Sequence, residues 1–175
     1  MVVGSYPKKY ATLWKLRNGR TLLLRPIKPE DEPYMGELFK TFSEETVRHR
    51  FFQILKEMSH AALARYCNVD YDKEIAIVAE TKENGRKRLL GVVRLATESD
   101  GKTAEIAVVV GDPWQRLGLG SKLVDYIIEI ARDKKLRSLY ALMLRENYKA
   151  IRFMEEKGFR IDGEQGETVR GVLKL

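Results

Sequence analysis

The sequence predicts an α+β fold, in which helices flank a mixed, mostly antiparallel central sheet. Two observations lead to this fold class. Three strand-like segments lie within residues 74–110, and the connections between them are too short for crossovers, so we expect antiparallel neighbours. The pattern changes at residues 117–134, where apolar residues recur at helical spacing, and further strands and a short helix follow.

The first elements are a hairpin and three helices. Asn18-Gly19 separates the strands of a hairpin at about residues 12–26, and we expect a type I′ turn because both residues tolerate positive φ. The residues that fit helix starts are Pro29, Ser43 and Ser59. The side chains expected to point inward from the first two helices are Met35, Leu38, Phe39, Phe42, Val47, Phe51 and Phe52.

The remaining elements alternate between strands and helices. Asn84-Gly85 and Asp100-Gly101 mark the turns of the three-strand meander. Gly158 fits the C′ position that ends the last helix. The expected strands are 74–79, 89–95, 103–110, 139–144, 159–161 and 168–175, and the expected helices are 117–134 and 150–157.

The composition fits one domain spanning residues 1–175. No apolar run reaches the roughly 20 residues that cross a bilayer, so a cytoplasmic location without a membrane partner is the default expectation. The net charge is +7, but the basic residues are spread along the chain, so we expect no nucleic-acid partner. The lone Cys67 excludes a disulfide within the chain, and His49 and His60 have no neighbours at metal-ligand spacing, so we expect no metal.

Residues 108–122 run from an apolar strand through a turn into a strong helix. The start of a helix presents unpaired N–H groups and therefore binds phosphates. Glycine at 118 and 120 lets the backbone approach a pyrophosphate closely, and Arg116 and Lys122 add positive charge. A dinucleotide fingerprint would require a third glycine, where Leu123 stands. From the residues alone, a phosphate cradle and an ordinary glycine-shaped helix start both stay open.

The segment Gln115-x-x-Gly118-x-Gly120, after an apolar strand, resembles the acetyl-CoA-binding signature of the GNAT acetyltransferase superfamily. Residues 147–159 are similar to the second common motif of that family. The resemblance implies a GNAT-like sheet and acetyl-CoA as co-substrate, with the pyrophosphate on the loop amides and the pantetheine along the strand. The residues that it assigns to the cofactor are Val108, Val109, Val110, Gln115, Arg116, Leu117, Gly118, Leu119, Gly120, Ser121 and Asn147.

A narrower resemblance covers the segments 24–32, 43–46, 70–76 and 104–110. These segments are similar to the acetyltransferase domain of Pat-type bacterial protein lysine acetyltransferases. Those enzymes acetylate a lysine of acyl-CoA synthetases. The resemblance therefore implies a protein lysine as acceptor, with an acyl-CoA synthetase among the candidates.

Acylation of an amine requires a base, because a lysine ε-amine has a pKa near ~10.4 and is mostly protonated at neutral pH. Glu105 interrupts an apolar strand that leads to the cofactor loop, and a partly buried carboxylate is a better base. It also matches the position of the glutamate assigned as base in the Pat-type enzymes, although an outward-facing glutamate stays an alternative. Many GNAT enzymes place a proton-donating tyrosine where this chain has Met154, whose thioether carries no proton.

Three functions stay open at this stage. The first is transfer of acetyl to a protein lysine in a ternary complex, with an N–H of strand 108–110 polarising the acetyl carbonyl. The second is a GNAT enzyme that acetylates a small-molecule amine. The third is a non-catalytic acyl-CoA-binding regulatory module, which the absent tyrosine favours and Glu105 opposes. The first two differ at the acceptor groove, which we expect within residues 43–72.

Overall fold

In residues 4–53 and 55–175, which the computed structural model describes, the chain forms eight β-strands and five α-helices. The strands are β1 (Thr12–Lys15), β2 (Thr21–Pro26), β3 (Glu74–Glu83), β4 (Arg86–Thr97), β5 (Thr103–Val110), β6 (Ser138–Leu144), β7 (Arg160–Gln165) and β8 (Thr168–Lys174). The helices are α1 (Glu32–Phe39), α2 (Glu44–Phe51), α3 (His60–Cys67), α4 (Leu119–Asp133) and α5 (Tyr148–Glu156).

All eight strands belong to one sheet in the order β1-β2-β3-β4-β5-β6-β8-β7. The β5–β6 pair is parallel, and the other neighbouring pairs are antiparallel. The single parallel pair follows from the connection, because α4 carries the chain across the sheet between β5 and β6. The predicted α+β class with a mixed, mostly antiparallel sheet is confirmed.

The two Asn-Gly pairs form different turns. Asn84 and Gly85 have φ of 51° and 78° and connect β3 to β4, as a type I′ turn requires. In the first hairpin only Gly19 is left-handed, with φ of 87°, and its N–H donates to the carbonyl of Leu16 at 2.9 Å. The predicted hairpin is confirmed, but the type I′ turn predicted there is wrong. The strands are joined by a longer loop with glycine in its left-handed position.

The predicted N-caps of α2 and α3 are confirmed. Ser43 Oγ accepts the N–H of Thr46 at 3.1 Å, and Ser59 Oγ accepts the N–H of Ala62 at 3.1 Å. The expectation that Phe52 points inward is wrong, because this residue ends α2 with φ of 61° and its side chain is 38% exposed. The left-handed backbone turns the chain out of the helix at this residue. The inward-facing side chains that are fully buried are Met35, Leu38, Phe39 and Val47, while Phe42 and Phe51 are half-buried.

Helix α4 packs its apolar face on β4 and β5, next to the loop that begins it. The helical spacing of apolar residues predicted for 117–134 is confirmed, since the helix buries Leu119, Leu123, Ile127, Ile130 and Ala131. Burial of one such leucine or isoleucine stabilises the fold by about 1.5–3 kcal/mol. Close packing at this place needs Gly91 in β4, where a Cβ atom would lie 2.9 Å from the carbonyl oxygen of Val109. Gly91 therefore leaves room for β5 and also for α4, since Leu123 Cδ1 would lie 3.4 Å from the same Cβ atom.

Candidate active site

Strands β5 and β6 separate part-way along their length. Their described parallel pairs are Thr103 with Ser138, Ala104 with Leu139, and Glu105 with Tyr140. Beyond Glu105 each strand keeps its outer neighbour, β4 or β8, and a wedge opens between the two. A cleft of about 590 Å³ occupies the wedge. Its strand walls are formed by Ile106, Ala107, Val108, Val109, Val110, Ala141, Leu142 and Met143.

In strand β5, the main-chain N–H and C=O groups of every second residue face this wedge. At the two ends of the β4–β5 pair, the N–H of Gly111 donates to the carbonyl of Leu90, and the N–H of Glu98 donates to the carbonyl of Thr103. Because pairing alternates along an antiparallel ladder, odd-numbered residues of β5 bond to β4 and even-numbered residues face β6. The main chains of Val108 and Val110 therefore face the wedge, while that of Val109 faces Val92 in β4. An extended pantetheine would find its partners on Val108 and Val110.

The predicted phosphate loop lies at the open end of the wedge. Arg116 and Gly118 have left-handed backbones, with φ of 66° and 86°, and turn the chain sharply into α4. The first helical bond runs from Lys122 N–H to the carbonyl of Gly118, so the amides of residues 119–121 precede the hydrogen-bonded ladder of the helix. Those amides fit a pyrophosphate, since they point out of the positive end of the helix dipole. Gly120, Arg116 and Gln115 line the same cleft as Val108 and Val110.

Helix α2 crosses the wedge and is tied to both of its sides. It contacts β5 as well as β6. On the loop side, the N–H of Ser43 donates to Asp112 Oδ1 at 3.0 Å. On the other side, Arg48 forms an ion pair with Glu146, which follows β6. This helix therefore roofs the cleft.

Sequence reasoning missed most of the cleft residues that α2 supplies. Glu45, Thr46, His49 and Arg50 line the cleft, together with Ser43. The available signal was the i, i+4 spacing, which places residues 45 and 49, and 46 and 50, on one face of a helix. Val47 lies on the opposite, buried side. The cleft roof is therefore polar and carries both signs of charge.

Glu105 stands in the last β5–β6 pair, at the foot of the wedge. Its side chain is half-buried, and the walls of the cleft begin with the next residue, Ile106. Burial raises the pKa of Glu105, the nearby positive charge of Arg50 opposes this rise, and the negative charge of Glu98 adds to it. A carboxylate with a raised pKa at this position is suited to accept a proton from a group bound in the cleft.

The α5 side of the cleft is formed by Asn147, Lys149, Ala150, Phe153 and Met154. Asn147 caps α5, because its Oδ1 accepts the N–H of Ala150 at 3.2 Å, and its amide N–H₂ stays available to a ligand. Met154 is 4% exposed and presents a thioether to the cleft. Tyr148 is 77% exposed and contributes to a separate hollow beside Arg145 and Glu146. The α5 side of the cleft therefore has no phenol, because Met154 carries none and Tyr148 lies outside.

The family follows from comparison with known proteins. Residues 33–159 match the model of the acetyltransferase (GNAT) family. This chain belongs to the GNAT acetyltransferase family. GNAT enzymes use acetyl-CoA, which agrees with the arrangement of the strand edge and the helix start in the cleft.

Individual relatives and one solved structure are similar to this GNAT acetyltransferase. It is 33% identical over 127 residues to Acetyltransferase PA5475 of Pseudomonas aeruginosa, which covers 73% of this chain and 68% of that protein. It is 29% identical over 145 residues to Acetyltransferase Pat of Mycolicibacterium smegmatis, covering 82% of this chain and 43% of that protein. The chain thus spans less than half of that relative. Its fold resembles the GNAT domain of S. lividans PAT, with a TM-score of 0.87 at 24% identity over 98% of this chain and 100% of that domain.

Cys67 and His60 of the acetyltransferase lie outside the cleft. Cys67 is buried, and burial, the largest cause, raises the pKa of its thiol to about 12, so it is a poor nucleophile. His60 is exposed beside Glu32. Among residues 4–53 and 55–175, no group of three or more His, Cys, Asp or Glu side chains has the arrangement of a metal site. No helix in that part of the chain is long and apolar enough to cross a membrane.

Proposed function

We propose that this enzyme is a cytoplasmic protein lysine acetyltransferase in which residues 1–175 act as one catalytic domain. It transfers acetyl from acetyl-CoA to a lysine ε-amine, with Glu105 as general base and an acyl-CoA synthetase as the first acceptor to test. The observation that carries the proposal is the position of a half-buried carboxylate at the foot of the wedge between β5 and β6. Similarity to two Pat acetyltransferases supports the choice of acceptor.

The residues that would hold acetyl-CoA divide into three groups. The main chains of Val108 and Val110 would bond the pantetheine amides as an added strand would. The loop from Gln115 through Ser121 would bind the pyrophosphate with its amides. Asn147 would offer its free amide N–H₂ from the opposite wall. Acetyl-CoA supplies the activated acyl group, and an N–H of the β5 edge would polarise its carbonyl.

Glu105 would remove the proton that keeps the lysine amine from reacting. The ammonium first gives one proton to Glu105, directly or through one water molecule, and Glu105 releases that proton to solvent. The neutral nitrogen then forms a bond to the acetyl carbon, the carbon–sulfur bond breaks, and the nitrogen loses its second proton to water. A raised pKa helps, because it brings the carboxylate closer to the pKa of the amine. General-base catalysis of this kind contributes roughly 10²–10⁴-fold to the rate.

The departing thiolate would take its proton from water. Met154 occupies the position where the GNAT resemblance implies a tyrosine, and its buried thioether has no proton to donate. A coenzyme A thiol is acidic enough to leave as the thiolate. No side chain of α5 is therefore assigned a role as general acid.

Labelled acetyl-CoA tests the proposal. The wild-type enzyme and the Glu105→Gln variant are incubated with a bacterial lysate and with a purified acyl-CoA synthetase, and binding of acetyl-CoA is measured by calorimetry. Glu129→Gln is the matched control, because this exposed glutamate lies on the far part of α4. We expect protein-bound label with the wild type and the control, and a loss of about 100-fold or more in Glu105→Gln with unchanged acetyl-CoA affinity.

The other outcomes point to the other functions. Label found only in small molecules indicates an acetyltransferase for a small-molecule amine. Binding of acetyl-CoA without any transfer indicates a non-catalytic regulatory module. Full activity of Glu105→Gln contradicts the assignment of the base whatever the acceptor is.

A further inference from the structure

Tyr140 reaches across strand β5. It belongs to β6, and its hydroxyl donates a hydrogen bond to the carboxylate of Glu98, which directly follows β4. In the sheet, β5 lies between these two strands. Neighbouring strands are about 4.8 Å apart, so the phenol spans a gap of roughly 10 Å over β5. The Tyr140 ring therefore lies over the middle strand.

The residue that this ring flanks is Glu105. Tyr140 and Glu105 are partners in the parallel ladder, so their side chains emerge on the same face of the sheet. Glu98 lies on that face too. It is opposite Thr103, to whose carbonyl its main-chain N–H donates at 2.8 Å. Thr103 is two residues from Glu105 on the same strand, so the side chains of both emerge on one face. Ser138 Oγ and Thr103 Oγ1 are 3.4 Å apart on the same face. The tyrosine, the glutamate that tethers it and the proposed base thus form one layer.

We infer that Tyr140 is a positioning residue for Glu105, with its ring tethered across β5 by Glu98 as the wall that holds the carboxylate at the foot of the wedge. This inference rests on the proposed function, in which Glu105 is the base. The ring limits the directions that the carboxylate takes and the water that reaches it. Burial, the largest cause, and the hydrogen bond to Glu98 keep the pKa of Tyr140 above its ordinary value, so the phenol stays neutral as a donor.

Two charged groups and one neutral titratable group approach Glu105 from three elements. Arg50 approaches from α2, Glu98 from the turn after β4, and Tyr140 from β6. Arg94 shares this face of β4, but it is held by the Tyr66 carbonyl at 3.0 Å. The nearby Arg170 of β8 is paired with Asp162 at 2.9 Å.

These groups determine whether a substitution at Tyr140 or Glu98 moves the pH dependence of kcat to lower or higher pH. A base works when deprotonated, so turnover rises with pH through the pKa of Glu105. Removal of the ring admits water and lowers this pKa, and removal of the Glu98 charge also lowers it. Both changes therefore shift the acidic limb of the kcat profile to lower pH.

The test measures kcat against pH at saturating acetyl-CoA and acceptor for Tyr140→Phe, Tyr140→Ala and Glu98→Gln. Tyr140→Phe keeps the ring without its tether, and we expect kcat to fall about tenfold with an unchanged KM for acetyl-CoA. Tyr140→Ala should lose more kcat and move the acidic limb to lower pH. Glu98→Gln keeps a hydrogen-bond acceptor for the phenol, so kcat should change least while the limb still moves down. Tyr126→Phe is the matched control, since it removes a phenol hydrogen bond to the Tyr10 carbonyl at 2.7 Å on another part of the fold.

The Glu105→Gln variant in the same assay tests the role of Glu105 separately from the role of Tyr140. If it is inactive while all three variants keep the wild-type kcat and acidic limb, only the role of Tyr140 is overturned. If Glu105→Gln is fully active, both the base and its positioning residue are overturned. Thermal unfolding is followed for each variant, and if Tyr140→Ala does not fold, Tyr140→Phe and Glu98→Gln decide the question.

Discussion

The side-chain amide of Gln115 donates a hydrogen bond to the main-chain carbonyl of Val110 at 3.0 Å. This contact closes the turn between the end of β5 and the start of α4. It occupies the carbonyl of Val110 and leaves the N–H of that residue facing the wedge. The strand edge and the phosphate loop are thereby held in a fixed relationship, which a ligand that spans both requires.

Loss of this contact should weaken the binding of acetyl-CoA. In Gln115→Ala the carbonyl of Val110 loses its partner and the loop gains freedom that binding must remove. One neutral hydrogen bond contributes about 1 kcal/mol, so we expect acetyl-CoA to bind roughly fivefold more weakly. Calorimetric titration measures the effect, and Gln165→Ala on the exposed strand β7 is the control. Equal affinities of the two variants would contradict the role of Gln115.

The two glycines of the loop should respond differently to alanine. Gly118 has φ of 86°, and a Cβ there would lie 3.3 Å from Arg17 Nε, so Gly118→Ala should destabilise the fold by about 1–2 kcal/mol. Gly120 is helical, and a Cβ there would meet Val110 at an ordinary 3.7 Å. Gly120→Ala should therefore keep its stability in urea unfolding but bind acetyl-CoA about tenfold or more weakly, because its methyl group obstructs the cleft. Similar losses in both measurements for both variants would argue against this division.

Local sequence signals predicted the loop and most of the fold. The glycines, serine caps and strand periods act over a few residues, and α4, β5 and the caps Ser43 and Ser59 appear where they were predicted. The two Asn-Gly pairs show the limit of such signals. The same dipeptide forms a type I′ turn at Asn84 and a longer loop at Asn18, because the pairing of the flanking strands decides which turn closes the hairpin.

The roof of the cleft and the neighbours of Glu105 depend on contacts that are distant in sequence. Arg48 meets Glu146, and Tyr140 meets both Glu105 and Glu98, only because β5 and β6 become parallel neighbours across α4. A glutamate in an apolar strand pointed to a special position. The identity of the residue beside it required the register between two strands that no local pattern sets.

Removal of one partner from the buried ion pair between Arg25 and Asp31 should strongly destabilise the fold. Two guanidinium nitrogens of Arg25 reach the two Asp31 oxygens at 2.7 Å, and its Nε reaches Glu80 at 2.9 Å. Asp31→Ala leaves a buried charge without one partner, and we expect a loss of about 3–5 kcal/mol in the free energy of unfolding. The control is Glu156→Ala, which breaks the exposed pair with Arg152 and should change it by less than about 1 kcal/mol. Urea unfolding gives both values, and a small loss in Asp31→Ala would show that the pair is dispensable.

Cys67 should be unreactive in the folded enzyme. Because burial raises the pKa of its thiol to about 12, little thiolate exists at pH 8. We expect modification by a disulfide reagent to be about a thousandfold slower in the native enzyme than in urea. Acetyl transfer should persist after the native enzyme has been exposed to the reagent. Rapid native modification with parallel loss of activity would instead indicate a route through an acetylated cysteine.

The charge of Arg50 should set the pH at which the enzyme becomes active. Burial raises the pKa of Glu105 above its ordinary value, and Arg50 opposes that rise by favouring the carboxylate. Arg50→Gln removes the opposing charge, so the pKa of Glu105 rises further and the acidic limb of kcat moves to higher pH. This is the opposite direction to the shift expected for Glu98→Gln. Arg86→Gln, whose guanidinium pairs with exposed Glu37 away from the cleft, should leave the limb unchanged. The measurement is a pH series of initial rates at saturating substrates, and a limb that moves down or stays in place in Arg50→Gln would show that Arg50 does not act on Glu105.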